Sequence, residues 1–192
     1  LATSWESSPD GKLWTFKLKP GVKFHNGEPF NAKTIEWWVP QFKGTENAFT
    51  VEAIEKVEVV DDLTVRFHMK HPDPNLLFNL ASSFMCVPEP KSYQALGDKF
   101  GVTEAIGTGP YKMQQFTVGQ QTVLVRNDDY KSASALSKNQ GPAKFKKLTF
   151  REIGEESTAY LELKTGGADV LVNVPTDFLP RIQADKAVKL VT

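Results

Sequence analysis

Leu13-Trp14-Thr15-Phe16-Lys17-Leu18-Lys19-Pro20-Gly21-Val22-Lys23-Phe24-His25-Asn26-Gly27 is the stretch on which the fold reading turns. Trp14, Phe16 and Leu18 fall on one side, Thr15, Lys17 and Lys19 on the other. That period of two is the mark of a half-buried strand. Pro20-Gly21 turns the chain, and Val22 and Phe24 then alternate with Lys23 and His25. Asn26-Gly27 is a tight-turn signal. The stretch predicts a hairpin over 13–25, so the chain is expected to start in β structure.

Downstream, Asn31 can cap a helix in which Ala32, Ile35, Trp38, Val39 and Phe42 recur at helical spacing, and Pro40 should end or kink it near Val39. Trp37 and Trp38 would point about 100° apart, one into the core and one outward. A second hairpin is predicted over 57–69, with Asp61-Asp62 at its turn. Asp73-Pro74 reads as a helix cap and first residue, leading through Leu77 and Leu80. Pro88-Glu89-Pro90 punctuates the chain, and a lobe boundary is placed there. Beyond it, a short helix near Ser92–Leu96 stops at Gly97. Gly107-Thr108-Gly109-Pro110-Tyr111 suits a turn with positive φ, then a hairpin returning through Val123 and Val125. Residues 131–144 read as a polar loop. A strand runs through Leu148 and Phe150, and a helix over about 155–165 ends at Gly166-Gly167. Short strands are expected at Asp169–Asn173 and Val188–Val191, with a helix starting near Thr176 or Asp177. The strands near 122–126, 147–151 and 169–173 are expected in one sheet.

Composition limits function. Among 192 residues, 23 Lys+Arg balance 23 Asp+Glu, so no basic excess points to nucleic acid. Hydrophobic residues make up 40% and charged residues 24%, ordinary for a globular protein. A chain of this length can bury roughly 70% of its unfolded surface, so it needs no disulfide or metal to fold. No apolar run approaches the roughly 20 residues of a membrane span. Cys86 is the only cysteine and lies in Phe84-Met85-Cys86-Val87, which reads as a small buried hydrophobe.

Catalytic constellations are not found. His68 and His71 are three apart, but on a strand and loop rather than one helix face; these and His25 read as surface histidines, and no metal is expected. Asp61-Asp62, Asp128-Asp129 and Glu155-Glu156 suit turns and helix starts, not the facing carboxylates of a glycosidase. There is no Gly-x-Ser-x-Gly elbow. Gly107-Thr108-Gly109 runs into Pro110, so it is not a dinucleotide loop, and there is no Gly-Lys-Ser/Thr phosphate loop. Neither a cofactor nor a catalytic residue is assigned.

Several segments, in order, resemble the family 5 extracellular solute-binding proteins of bacterial ABC importers, of the oligopeptide-, dipeptide- and nickel-binding type. They are Leu1-Ala2-Thr3-Ser4-Trp5-Glu6, Asp10-Gly11-Lys12 with Trp14-Thr15-Phe16, Gly21–Gly27, Val57–Val65, Gly107–Tyr111, Arg126-Asn127-Asp128-Asp129-Tyr130 and Gly166-Gly167-Ala168-Asp169. Tyr130 is followed by Lys131 where the family usually has Trp. The resemblance implies an α+β (mixed α/β) fold, part of the type II periplasmic-binding-protein architecture. Residues 1–90 then form a small β-rich lobe, the family's second. Residues 91–192 form part of the first, ligand-cleft lobe, and the third lobe is absent. Such a chain is a piece of a longer protein carrying an export signal, and holds at most half a ligand site.

The same resemblance implies capture of peptides or similar solutes in the periplasm, or at the surface of a Gram-positive cell, by a monomer that delivers them to the ABC permease subunits. Two ligand contacts carry over. Asn173 lies in a cleft-facing segment, where an amide can both donate to and accept from a peptide group; a turn or cap role is the equal alternative. Phe49 falls where relatives place an aromatic against the ligand; lobe packing is the alternative. Other solutes of the family (nickel, haem, opines, sugars) remain open, as does a sensing or interaction module. An enzyme such as a glycosidase or esterase is the different-class alternative; the absence of any nucleophile-base arrangement weighs against it, so no enzyme is expected.

Overall fold

The computed structural model describes residues 1–131, 134, 136–172, 174, 176–185 and 187–191. They divide into two compact units, Leu1–Thr117 with Thr122–Thr149, and Val118–Gln121 with Phe150–Thr192. Pro88–Pro90 lies inside the first unit.

The first unit begins with β1 (Ala2–Ser7) and β2 (Leu13–Leu18), followed by α1 (Ala32–Trp38), β3 (Ile54–Asp61) and β4 (Thr64–Met69). The four strands form an antiparallel sheet in the order β1-β2-β4-β3. Trp14 faces Phe67, Phe16 faces Val65, and Val57 faces Phe67 across the ladder. The period of two in β2 and β4 thus builds one apolar face. Phe16, Leu18, Val65, Phe67 and Met69 are buried there, and α1 packs over it. The opposite face is polar. On it Glu58 meets Arg66 at 3.6 Å and His68 at 2.6 Å.

The expected 13–25 hairpin does not form. β2 is a central strand with β1 on one edge and β4 on the other, so residues 22–25 find no free edge. They close their own loop instead. Phe30 donates to the Val22 carbonyl at 3.0 Å, Phe24 to Glu28 at 2.8 Å, and Gly27 to Phe24 at 2.9 Å. Gly27 sits at φ 91°, a region that favours glycine. The 57–69 hairpin does form, as β3 and β4, with the Asp61 carboxylate accepting the Leu63 N–H at 2.8 Å in its turn.

Asn31 caps α1 as expected, and Thr34 completes a reciprocal capping box. The α-helix stops at Trp38 and tightens into a 3₁₀ turn, Val39–Phe42, around Pro40. Trp37 and Trp38 do not divide into core and surface. Their rings stack with centroids 5.7 Å apart, both half-buried, because Tyr93 packs edge-on against each. The next helix, α2 (Leu76–Ala81), starts two residues later than predicted. The Asp73 carboxylate accepts the Asn75 N–H at 2.8 Å and spends itself on a turn before the helix begins.

α3 (Pro90–Leu96) is capped by Glu89 and ends at Gly97. It is followed by β5 (Tyr111–Thr117), β6 (Gln121–Arg126) and β7 (Lys147–Arg151), a second sheet in that order. Gly107 and Gly109 are not among the glycines with positive φ, contrary to the turn reading. Cys86 is exposed rather than buried. The 3₁₀ turn Ser83–Met85 sends Met85 inward, which leaves Phe84 and Cys86 facing out.

The second unit holds α4 (Glu156–Thr165) and α5 (Leu179–Ala184), the latter entered through a 3₁₀ turn, Thr176–Phe178. Gly166 ends α4 in the left-handed conformation, φ 79°, as its position predicts. Tyr160 of α4 is buried against Phe178 at 5.7 Å, and its hydroxyl lies 3.2 Å from the Asp185 carboxylate. No strand is formed by residues 169–172 or 188–191, which find no ladder partner; Val170 and Val172 are 75% and 68% exposed.

Candidate functional site

An open cleft of about 930 Å³ lies in the first unit between the 19–27 segment, Thr108 and Lys112, and the 127–131 segment. Its walls are cross-stitched by polar groups. The sequence reads His25 as a surface residue, yet its ring is half-buried and engaged at both nitrogens. The Gly107 N–H donates to Nδ1 at 3.3 Å, and Nε2 is 3.1 Å from the Gly109 carbonyl. The His25 N–H donates to the Gly107 carbonyl at 2.9 Å, and Lys112 Nζ to the His25 carbonyl at 3.4 Å. Burial pushes the His25 pKa down, the Gly109 carbonyl opposes this, and the Lys112 charge adds to it.

Asn127 is the second tie. Its Nδ2 donates to Gly109 at 3.2 Å and its backbone N–H to Pro110 at 2.9 Å, while its Oδ1 accepts the Asp129 N–H at 3.3 Å. It is buried because every polar group has a partner here. Arg126 beside it donates to Asp128 at 2.6 Å and to the Ala143 carbonyl at 3.2 Å, tying the polar loop to β6. Glu89 is the third tie and only 2% exposed. Burial pushes its carboxyl up, but hydrogen bonds from Ser92, Lys91 and Asn26 overcome this and hold it below the usual range.

Sequence reasoning gave His25, Asn127 and Glu89 no such roles. An Asn placed directly after a strand and before Asp-Asp is an Asx-turn signal that points to Asn127. Partners 82 to 84 residues away, as for His25, leave no local signal. The cleft presents hydroxyl, amide, ammonium and carboxylate groups, suited to hydrogen-bonding a polar solute. His25 is no free base, since both ring nitrogens are engaged. Among the described residues no group of three His, Cys, Asp or Glu side chains could hold a metal ion. No helix among them is long and apolar enough to cross a membrane.

Of the two carried-over ligand residues, Phe49 is not among those that line this cleft. Phe49 lies in the 3₁₀ turn Ala48–Thr50, where the buried Thr50 anchors the backbone and the Phe49 ring turns out, 57% exposed. It meets the exposed Phe84 ring edge-on with centroids 6.3 Å apart. Asn173 lies outside the described residues.

The sequence pattern of the bacterial extracellular solute-binding proteins, family 5 Middle, matches residues 1–192. The chain belongs to that family. It is 29% identical over 198 residues to a probable D,D-dipeptide-binding periplasmic protein, DdpA, of Escherichia coli K12, covering 99% of this chain and 36% of the relative. It is 31% identical over 179 residues to the glutathione-binding protein GsiB of Pectobacterium atrosepticum, covering 91% of this chain and 33% of the relative. Among solved structures, MoaA of A. tumefaciens R10 in complex with mannopinic acid superposes with a TM-score of 0.85 at 30% identity, over 96% of this chain and 37% of that one. The mixed α and β fold of this family 5 chain is therefore part of a periplasmic-binding-protein architecture. The chain spans about a third of the length of the curated relatives it matches.

Proposed function

We propose that this chain is part of the substrate-binding component of an ABC importer that captures peptides or similar small solutes outside the cytoplasmic membrane and passes them to the permease subunits. The observation that carries this reading is the family match over the whole chain. The protein works as a monomer in the periplasm or at the outer cell surface, and does no covalent chemistry. Residues 1–90 serve as the small β-rich lobe and residues 91–192 as part of the ligand-cleft lobe. The rest of the site comes from a third lobe beyond this chain, and Phe49 and Asn173 contribute from this side.

A second reading within the family has its own support, since relatives are named for a D,D-dipeptide, for glutathione and for mannopinic acid. The solute is then not a simple peptide. Calorimetric titration of the full-length protein with a peptide pool, glutathione, nickel and an opine separates the two. Binding of the peptide pool is expected. Binding of one of the others alone moves the solute class, and turnover of any of them overturns the binding-protein reading.

A further inference from the structure

The two ring contacts of His25 fix its protonation. A carbonyl oxygen only accepts, so the 3.1 Å contact to Gly109 places a proton on Nε2. A backbone N–H only donates, so the 3.3 Å contact from Gly107 requires a bare Nδ1. One neutral tautomer satisfies both, and neither the other tautomer nor the imidazolium does. A proton on Nδ1 would set one N–H against another. The ring reaches across 82 residues to do this, so the contact joins two separate segments of the first unit rather than shaping a local turn.

We propose that His25 is a proton-operated latch, whose neutral ring accepts the Gly107 N–H at Nδ1 and whose imidazolium releases that N–H while its Nε2–H stays on the Gly109 carbonyl. The Gly107–Gly109 strap leads through Pro110 into β5, and the Gly109 carbonyl stays held by Nε2–H and Asn127, so protonation loosens the Gly107 end of this wall of the cleft. The charged groups around the ring are accounted for. On its own segment are Lys19, Lys23 and Glu28, the last paired with Lys91 of α3 at 3.1 Å. Glu89, reached through Asn26, is engaged by the α3 N-terminus. From the 127–131 segment come Lys131, Asp129 and Asp128, the last paired with Arg126 at 2.6 Å. Lys112 of β5 is the cation that opposes a second positive charge. The His25 pKa lies below the ordinary value of 6.5. The latch is therefore closed above that pH and opens as pH falls through the lowered value.

The test is a site-resolved ¹⁵N NMR titration of the full chain, combined with amide exchange at Gly107. The expected result is an Nε2–H tautomer at pH 8 and a His25 midpoint below 6.5. Gly107 protection, corrected for intrinsic exchange, should fall as pH drops through that midpoint, with a slope approaching about tenfold per pH unit below it. His25→Gln should remove the pH dependence of Gly107 protection, and Lys112→Met should raise the His25 midpoint. An Nδ1–H tautomer, a midpoint at or above 6.5, or Gly107 protection unchanged through the titration overturns the latch. The wild-type titration decides the matter even where a variant does not fold.

Discussion

Asn26 and Glu89, 63 residues apart, share a hydrogen bond of 3.3 Å that ties the Asn-Gly turn to the start of α3. Glu89 also accepts from Lys91 N at 3.0 Å, Ser92 N at 2.8 Å and Ser92 Oγ at 2.6 Å. Glu89→Ala removes a helix cap, worth about 1 kcal/mol. It also leaves the part-buried donors of Lys91 and Ser92 without their acceptor, at about 0.5–1.5 kcal/mol each. A loss of about 2 kcal/mol or more is expected in denaturant unfolding. Asn26→Ala removes this exposed bond and the one its Oδ1 accepts from the Glu28 N–H at 3.2 Å, and should cost about 0.5–1.5 kcal/mol. In a double-mutant cycle the Asn26 effect should shrink in the Glu89→Ala background to what its bond with the Glu28 N–H contributes. Strict additivity would show that the two do not act through this bond.

Two glycines predict opposite outcomes. Gly166 stands at φ 79°, with nothing near the position of an added Cβ. Gly166→Ala has room but the wrong backbone, and should cost about 1–2 kcal/mol. Gly107 has no positive φ, and its nearest neighbour, His25 Cε1, is 3.9 Å from an added Cβ, an ordinary contact. Gly107→Ala should change stability by no more than about 0.5 kcal/mol. Thermal unfolding of both variants checks the contrast. A larger loss at Gly107 than at Gly166 would reverse it.

Acid should weaken α4 at its first turn. Glu155 accepts from the hydroxyls and backbone N–H groups of Thr158 and Ser157, which draw its pKa down to about 2. A carboxylate depressed from 4.5 binds fewer protons folded than unfolded. Its contribution is therefore full above 4.5 and is lost as pH falls toward 2. Glu155→Gln should lower the protection of the Ser157 and Thr158 amides at pH 7, and this deficit should shrink steadily between pH 4.5 and pH 2. A deficit independent of pH would remove the charge from the account.

The elements legible in the sequence are those whose signals are local. The β2 and β4 alternation, the Asn31 cap and the Gly166 stop each act within a few residues, and each is where it was expected. The 13–25 hairpin fails because pairing is decided by sheet neighbours, and β1 and β4 already hold both edges of β2. Cys86 is misread because an apolar run carries no period to tell in from out; the 3₁₀ turn Ser83–Met85 steps about 120° per residue and aims Met85 inward, with Cys86 leaving the turn in extended backbone. The strand expectations at 169–173 and 188–191 rest on apolar content alone, and residues 169–172 and 188–191 form no ladder; Asn173 lies outside the described residues. In the cleft, the Asn127 turn had a local cue, whereas the His25 and Glu89 ties join segments more than 60 residues apart and had none.

Phe49 offers a direct test of the binding proposal, because its exposure separates affinity from stability. A ring that is 57% exposed contributes little to the core. Phe49→Ala should therefore shift unfolding by no more than about 0.5–1 kcal/mol, allowing for the lost edge contact with Phe84. In the full-length protein the same ring, covered by a bound solute, would lose its water and gain packing. Removing such an aromatic contact should cost about 1.4 kcal/mol, a tenfold weaker Kd. Asn173→Ala belongs beside it, with a loss of about 1 kcal/mol if the amide pairs with a ligand peptide group. Calorimetric titration reads the affinity and differential scanning calorimetry of the apo protein reads the fold. Weaker binding with an unmoved apo transition supports both residues as ligand contacts. Unchanged affinity for Phe49→Ala would assign its ring to packing between lobes, and unchanged affinity for Asn173→Ala would return that side chain to a turn or a cap.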